Sequence, residues 1–251
     1  AQRAQAWGEV ARRLAHEIKN PLTPIQLSAE RLELKLTGKL PDAEQAVLIK
    51  SVKTIVDQVD AMKRLVNEFR DYARLPAAVL QPLDLNALIN DVLQLYGVEN
   101  APVPVRAELD PECLPVLADA QQMRQVIHNL LQNAQDAQQQ QTAGETREPV
   151  LIQTQWRPAT QRVRLTVCDA GPGFPENILQ RAFEPYVTTK PRGTGLGLAV
   201  VKKIADEHGA RITIGNRVQD GVVLGAQVSL LIPASDQPLP QDRGAEAGTM
   251  S

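Results

Sequence analysis

A histidine, a carboxylate and an amide lie close together near the beginning of the chain. His16 is followed directly by Glu17, and Asn20 comes four residues after the histidine. Residues four apart lie on one face of a helix, so a helical segment points His16 and Asn20 the same way. An imidazole beside a carboxylate can act as a nucleophile with its own base. A surface histidine on a solvated helix is the more frequent case, so the interpretation depends on residues further along the chain.

Polar and small residues share one face of a second predicted helix. The segment HNLLQNAQDA covers residues 128–137, and the residues of this kind recur there at helical spacing: Asn129, Asn133, Asp136 and Ala137. Amide oxygens are suitable ligands for Mg²⁺, which also binds the phosphates of a substrate. An ordinary solvated helix face is the alternative, and this segment alone does not decide between them.

A carboxylate and two glycines follow a strand-like run. Residues 163–168 alternate like a half-buried strand, and DAGPG follows at 169–173. A carboxylate at a strand end, here Asp169, can accept a hydrogen bond from an exocyclic amine. Gly171 and Gly173 let the backbone approach a flat ring closely. A tight turn with an aspartate cap is the alternative, because the motif alone is not specific.

A glycine-rich segment opens another predicted helix. Residues 183–198 read FEPYVTTKPRGTGLGL, with the glycine core at 193–197 and the cations Lys190 and Arg192 beside it. Unpaired N–H groups and the positive end of the helix dipole favour phosphate at such a position. No strand precedes the core and its third glycine comes too early, which excludes a dinucleotide fingerprint. A flexible surface loop is the alternative.

Two apolar repeats predict the elements that carry His16. The second repeat alternates spacings of four and three without a break: Leu48, Val52, Ile55, Val59, Met62, Val66, Phe69 and Ala73. This is the pattern of a helix-bundle seam. The breaker segment TGKLPD at 37–42 joins the two helices into a hairpin. One hairpin buries only one face of each helix, so two copies closing a four-helix bundle predict a homodimer.

The rest of the chain alternates between helices and strands. We predict helices at 86–96, 120–140 and 197–207, and strands at 103–109, 114–118, 150–156, 163–168, 210–216 and 225–232. The domains are then 1–75 for the hairpin, 76–82 for a linker, 83–233 for an α/β domain and 234–251 for a disordered tail rich in polar residues, Pro and Gly.

Composition excludes several classes. The chain has 251 residues, 43% of them hydrophobic, and a formal net charge of −2, so it lacks the basic excess of a nucleic-acid binder. Its two cysteines follow no metal-ligand spacing. There is no apolar run of membrane-spanning length and no signal peptide. Because the chain begins at Ala1, we expect a cytoplasmic fragment of a longer protein, which leaves open an inner-membrane anchor upstream.

Taken in order, these motifs resemble those of the sensor histidine kinases of two-component systems. HEIKNPLTP resembles the phosphoacceptor box, HNLLQNAQDA the N box, DAGPG the first glycine box, FEPYVTTK the F box and GTGLGL the second glycine box. The resemblance covers residues 7–233, and the sequence after His16 is similar to the NtrY branch of the nitrogen-regulation kinases. It implies an α + α/β protein, in which an antiparallel helical hairpin forms a dimeric four-helix bundle and a Bergerat-type α/β sandwich binds ATP.

The resemblance also implies residue roles and two cofactors, ATP and Mg²⁺. By position, His16 is the phosphoacceptor, Glu17 orients or deprotonates it, and Asn20 places a hydrolytic water in the reverse, phosphatase reaction. Asn133 ligates Mg²⁺ and Asp169 reads the adenine amine. The other implied nucleotide-binding positions lie in the N box and the glycine boxes: Asn129, Asp136, Gly171, Gly173, Lys190, Gly193, Thr194, Gly195, Leu196 and Gly197.

The implied function is ATP-dependent autophosphorylation on His16 and phosphotransfer to an aspartate of a response-regulator receiver domain. Phe183 anchors one end of the lid over ATP, and we expect motion of the ATP domain about the linker to gate activity. Another ATPase of the same fold, of the mismatch-repair, topoisomerase or heat-shock chaperone type, is disfavoured by Glu17 beside His16. The alternative is a phosphatase-biased or non-catalytic dimeric module that docks a regulator and senses nucleotide. The non-catalytic form is disfavoured because every expected ligand position is filled, whereas Asn20 leaves phosphatase activity open.

Overall fold

The computed structural model describes residues 2–73, 75–95, 103–139, 148–185, 187–188 and 195–239. The described residues divide into two compact units: the first contains those up to Pro76 together with those between Glu184 and Leu196, and the second contains the others. The first contains two long helices and the second contains a mixed α/β arrangement.

The helical unit is a hairpin. Helix α1 spans Gln2–Leu36 and helix α2 spans Asp42–Ala73. Gly38 adopts a positive φ of 76° in the turn between them, where the absence of a side chain allows the reversal. The side chain of Lys63 donates a hydrogen bond to that of Gln26 across the pair. The predicted hairpin is confirmed.

The apolar repeat of the hairpin separates into two rows that differ in burial. One row is at most 5% exposed and marks the face on which the helices pack: Ala15, Leu22, Ala29, Val52, Val59 and Val66. The alternate row is 40–54% exposed: Ile18, Ile25, Leu32, Ile55 and Met62. Neighbours within each row of each helix are seven residues apart, as in a bundle seam with two contact positions per heptad. A single hairpin therefore covers only half of its seam.

The α/β unit is built on a five-stranded sheet of order β2-β4-β5-β7-β6. Among the described strands of this sheet, only the β2–β4 pair is parallel. The bounds of its strands are β2 Val105–Glu108, β4 Val150–Arg157, β5 Arg162–Cys168, β6 Arg211–Gln219 and β7 Val222–Pro233. A separate antiparallel pair joins β1, Gln81–Leu83, to β3, Val116–Ala118.

Two helices pack against the sheet: α4 Ala120–Gln139 against β4 and β5, and α6 Gly197–Glu207 against β6. Helix α3 Leu85–Leu95 packs against α4, and α5 Glu176–Leu179 is a single turn without buried residues. Alternate residues of the central strands are fully buried, for example Ile152, Leu165 and Leu230, because successive side chains of a strand point to opposite faces. The core of this unit thus lies between the helices and one face of the sheet, as the predicted alternation requires.

The structure differs from the sequence prediction at the linker and at the last hairpin. Gln81 and Pro82, assigned to the linker 76–82, form strand β1 instead, and the N–H of Val79 donates to the Asp119 carboxylate at 3.0 Å. The last hairpin is longer than predicted, because its strands continue to a two-residue turn at Asp220 and Gly221, both with positive φ, as an Asp-Gly hairpin requires. Of the predicted tail 234–251, residues 240–251 lie outside the described residues.

Asp119 joins three elements of the α/β unit. Its Oδ1 accepts hydrogen bonds from the N–H groups of Gln121 and Gln122, which caps α4. Its own N–H donates to Nε2 of the buried His208 at 2.9 Å, and Nδ1 of that ring lies 2.8 Å from the Ile204 carbonyl oxygen. Nε2 is therefore unprotonated and Nδ1 carries the proton.

The pKa of Asp119 follows from these contacts. Burial opposes ionisation of the carboxyl, but the hydrogen bonds from Val79, Gln122 and Gln121 outweigh it and hold the pKa below its ordinary value. A carboxylate with a depressed pKa in the folded state stabilises the fold above its ordinary pKa, and this contribution is lost as the pH falls through the folded value.

We predict that Asp119→Ala lowers the free energy of unfolding of the α/β unit by about 1–2 kcal/mol, the usual cost of losing a helix cap. The loss should be full at pH 7 and should shrink as the pH falls below about 4, the ordinary pKa, and on through the depressed pKa of the folded carboxyl. Urea unfolding at the two pH values measures it, with the exposed Asp236 replaced by Ala as the control. An equal loss at both pH values would contradict the assigned ionic contribution.

Candidate functional site

His16 lies on the exposed side of α1. Its side chain and those of Glu17 and Asn20 are exposed, while the neighbouring Ala15 belongs to the buried row. The three predicted catalytic residues are therefore on one accessible part of the helix. Helical geometry brings His16 and Asn20 onto adjacent turns of the same side.

Two prolines alter the helix next to this group. Pro21 and Pro24 lie inside α1, and proline has no N–H to donate to the carbonyl four residues earlier. Neither proline can supply the N–H that a regular helix directs at the carbonyl groups of Glu17 and Asn20, so the hydrogen-bond pattern of α1 changes beside His16.

Two exposed leucines lie on the same side of α1 as His16, beyond the two prolines toward the C-terminus of the helix. Leu34 follows His16 by eighteen residues, which is about five helical turns, and Leu27 falls close to the same line. They are 81% and 59% exposed. This surface, defined by His16, Leu27 and Leu34 and called the His16 face below, is distinct from the exposed half of the seam.

Asp169 lies at the end of β5, as the sequence predicts, and its side chain is buried at 7% exposure. Its Oδ1 accepts hydrogen bonds from the N–H groups of Gly171 at 2.8 Å and Ala226 at 3.0 Å. The N–H of Asp169 also donates to the Ala226 carbonyl at 3.0 Å. Main-chain donors and the neighbouring strand β7 thus fix the orientation of this carboxylate.

Gly171 is pressed against α4. A Cβ there would lie 2.9 Å from the Ala137 Cβ and 3.0 Å from Asp169 Oδ1, closer than ordinary contacts allow. The predicted N-box residue Ala137 and the predicted first glycine box therefore meet in the structure. The close approach explains why both positions hold small residues.

Residues of the last hairpin support this loop, and they are not among the site residues predicted from the sequence. Asn216 accepts a hydrogen bond from the Phe174 N–H at 2.7 Å and donates one to the Phe174 carbonyl at 2.8 Å. A Cβ on Gly173, which has φ +78°, would lie 2.6 Å from a Val223 methyl and 2.8 Å from Asn216 Oδ1. In the sequence Asn216 belongs to an Asn-Arg pair at the end of a predicted strand, and such a pair has no pattern that indicates a role in a binding site.

The polar face of α4 meets the beginning of α6. The Asn129 amide donates to the Gly197 carbonyl at 3.4 Å, and the Asn133 amide lies 3.4–3.9 Å from the place a Cβ of Gly197 would take. Asp136 is half-buried on the same face. An amide oxygen beside a helix N-terminus suits Mg²⁺ that is held mainly by water and phosphate, so Asn133 fits the metal role predicted for it.

The predicted lid is described only in part. Lys190, Gly193 and Thr194 lie outside the described residues. Gly195 has a positive φ of 70°, and Leu196 is fully buried. Phe183 is half-buried at the other end of the segment. Among the described residues, no group of three or more His, Cys, Asp or Glu side chains could hold a metal ion.

Two family models match the chain. Residues 6–78 match the His Kinase A (phospho-acceptor) domain, and residues 118–236 match the histidine kinase-, DNA gyrase B- and HSP90-like ATPase. Together they match more than half of the chain, with His16 in the first and Asp169 in the second. The chain belongs to the histidine kinases. The predicted α + α/β class, a helical region followed by an ATPase of the Bergerat type, is confirmed.

Named relatives agree with this histidine kinase assignment. The nitrogen regulation protein NtrY of Azorhizobium caulinodans is 38% identical over 93% of this chain and 30% of its own length. A complex of histidine kinase ThkA with response regulator protein TrrA has a TM-score of 0.62 and 30% identity, covering 93% of this chain and 64% of that one. Full-length ShkA with AMPPNP has a TM-score of 0.63 and 28% identity, covering 90% and 45%.

The histidine kinase described here spans about a third of the length of the NtrY relative. Within its described residues, no helix is both long enough and apolar enough to cross a membrane.

The contact between Gly171 and Ala137 leads to a testable prediction. Gly171→Ala should lower the free energy of unfolding of the α/β unit by about 1–3 kcal/mol, the usual cost of overpacking, and should weaken ATP binding. Gly215→Ala is the matched control, because a Cβ on that strand glycine meets nothing within 4 Å. Urea unfolding measures the first effect and ATP titration the second. Equal free energies of unfolding and equal ATP affinities for the two variants would show that α4 shifts to accommodate the added methyl group.

Proposed function

We propose that this histidine kinase transfers the γ-phosphoryl group of ATP to His16 and then to an aspartate of a response regulator. The proposal rests on two features that occur in the same chain. An exposed histidine with an adjacent carboxylate lies on a helical hairpin, and the same chain contains a nucleotide-type loop whose carboxylate is fixed by main-chain donors.

In the nucleotide site, we assign Asp169 to the adenine amine. A carboxylate accepts hydrogen bonds only, and the exocyclic amine of adenine is a donor that matches it. Gly171 and Gly173 let the loop pack directly against Ala137 and Val223, since a side chain at either position would collide with these residues. The assignment therefore rests on the polarity of Asp169, and the two glycines fix the path of the loop that carries it.

We assign the phosphates to the middle of α4, where Asn129 and Asn133 meet the beginning of α6. Asn133 would hold Mg²⁺ and Asn129 would support the phosphate groups beside the N-terminus of α6. From the resemblance alone we also assign nucleotide binding to the remaining predicted positions: Asp136, Lys190, Gly193, Thr194, Gly195, Leu196 and Gly197. When bound, Mg²⁺ neutralises phosphate charge as the γ-phosphoryl group leaves. The family match to an ATPase and the AMPPNP bound to ShkA support ATP as the nucleotide.

At His16, the reaction forms a nitrogen–phosphorus bond and breaks the bond between the γ-phosphorus and the oxygen that leaves with ADP. The attacking imidazole nitrogen must be unprotonated. Glu17 accepts a hydrogen bond from the other ring nitrogen or takes its proton, so positive charge does not accumulate on the ring. The exposure of His16 allows both the nucleotide and the receiver domain to reach it in turn.

The His16 face supports the assignment of the second partner. Exposed leucines aligned with a reactive histidine give a partner an apolar surface to bury. ThkA, which is similar over most of this chain, forms a complex with a response regulator protein. We therefore assign a receiver domain to this face. The names of the relatives favour a nitrogen-regulation response regulator.

The uncovered half of the seam supports a homodimer. A second hairpin presenting the same row would complete a four-helix bundle. The family's phosphoacceptor domain supports the same arrangement.

We predict that Ile25→Glu converts the dimer to a monomer, because it places a charge in the seam. Leu27→Glu is the matched control, since it makes the same substitution two residues away on the His16 face. Light scattering after size-exclusion chromatography measures the mass of each. A dimeric Ile25→Glu variant would argue against this interface.

Incubation with γ-labelled ATP and Mg²⁺ tests the central reaction. We expect label that is acid-labile and base-stable in the unsubstituted chain and absent from His16→Ala. ATP binding measured in parallel should be the same in both, because the substitution is outside the α/β unit. Label that survives His16→Ala would show that the acceptor is another residue.

A phosphatase function is the second candidate, favoured by the exposed Asn20 on the same side of α1 as His16. It would be preferred if the unsubstituted chain bound ATP without becoming labelled and accelerated loss of phosphate from a phosphorylated regulator.

A further inference from the structure

The loop that carries Asp169 is bonded at both ends to two adjacent residues of β6. Nη1 of Arg217 donates to the main-chain carbonyl of Asp169 at 3.0 Å. The Asn216 side chain makes its two hydrogen bonds, of 2.7 and 2.8 Å, with the N–H and carbonyl of Phe174. The segment 169–174 is therefore clamped by residues more than forty positions away in the sequence.

The strand geometry explains how Arg217 reaches this carbonyl. Arg217 pairs with Gly225 of β7, and the register of the two strands shifts immediately after it. Such an irregularity at a sheet edge redirects the side chains beside it. Gly225 has φ +146°, and a Cβ there would lie only 1.9 Å from the Asp169 carbonyl oxygen. The oxygen thus occupies the space where a side chain would be, within reach of the guanidinium group.

These contacts constrain the carboxylate as well as the main chain. Oδ1 of Asp169 is held by the N–H groups of Gly171 and Ala226. With the carbonyl held by Arg217, the residue is fixed through its backbone and through one carboxylate oxygen. The position of the other oxygen is then set, because the carboxylate is planar and rigid. A hydrogen bond to a ligand depends steeply on such placement.

We propose that Arg217 and Asn216 are positioning residues for base recognition, and that they give the site its selectivity for adenine over other purines. The inference rests on the proposed role of Asp169 as the acceptor for the adenine amine. A permanently charged guanidinium donates a stronger hydrogen bond than a neutral group. Arg217 therefore holds the carbonyl more firmly than the strand contacts alone.

The selectivity for adenine depends on the hydrogen bond between the Asp169 carboxylate and the adenine amine, which is lost if the carboxylate is displaced. A site that is built to bond one group of a substrate discriminates strongly against an analogue lacking it, and this discrimination depends on correct placement. Inosine triphosphate has the ribose and phosphates of ATP but a carbonyl oxygen in place of the amine. Moving Asp169 should weaken ATP binding far more than inosine triphosphate binding.

The test compares the affinities of ATP and inosine triphosphate by calorimetry on the full chain. For Arg217→Met we expect ATP affinity to fall about tenfold, the order of a hydrogen bond to a charged group. Inosine triphosphate affinity should stay within about twofold, because it gains nothing from the carboxylate. Arg217→Lys keeps a charged donor and should recover most of the preference, and Asn216→Ser should lose part of it.

Arg211→Met is the matched control, since it removes an exposed arginine from the same strand and should leave both affinities unchanged. An equal loss for both nucleotides in Arg217→Met, without recovery in Arg217→Lys, would mean that Arg217 only supports the fold and would overturn the inference. An unchanged preference in Arg217→Met would overturn it too. If the unsubstituted chain binds both nucleotides equally, the role of Asp169 itself fails, and the inference fails with it.

Discussion

A buried carboxylate that must keep its hydrogen bonds is the constraint on which the α/β unit depends. Burying Asp169 is costly unless donors are placed around it, and the donors come from its own loop and from β7. To bring them close enough, the chain uses positions without side chains at Gly171 and Gly225. The packing of α4 against the loop and the register of the last two strands follow from this requirement.

The sequence predicts the elements well where the pattern is local and repeated. The alternation of Leu, Val and Ile in 48–73 places α2, and the alternating run 163–168 places β5, because periodicity reports which face is buried. Strand β1 was missed since it has three residues, one of them Pro82, and is defined by its pairing with β3. No local pattern distinguishes such a strand from a linker.

In the candidate site, too, local sequence patterns reveal some residues, and tertiary contacts are needed to identify the others. Asp169 and Gly171 were found because their residue types state their chemistry directly. Asn216, Arg217 and Gly225 were not, because their roles arise only when a distant hairpin folds back onto the loop. Motifs reveal groups that touch a ligand, whereas the residues that hold those groups in place are identified by tertiary contacts.

The seam of the hairpin has a consequence for how the two units lose their structure. One apolar row is buried within the chain and the other is exposed, so in the proposed homodimer a second copy completes the hairpin. The midpoint of its melting then rises with protein concentration, as it must for any fold stabilised by association. The α/β unit buries its core within one chain and melts at a temperature independent of dilution. At nanomolar concentrations of that homodimer, the unit to which we assign the nucleotide is therefore expected to stay folded after the unit that carries His16 has lost its structure.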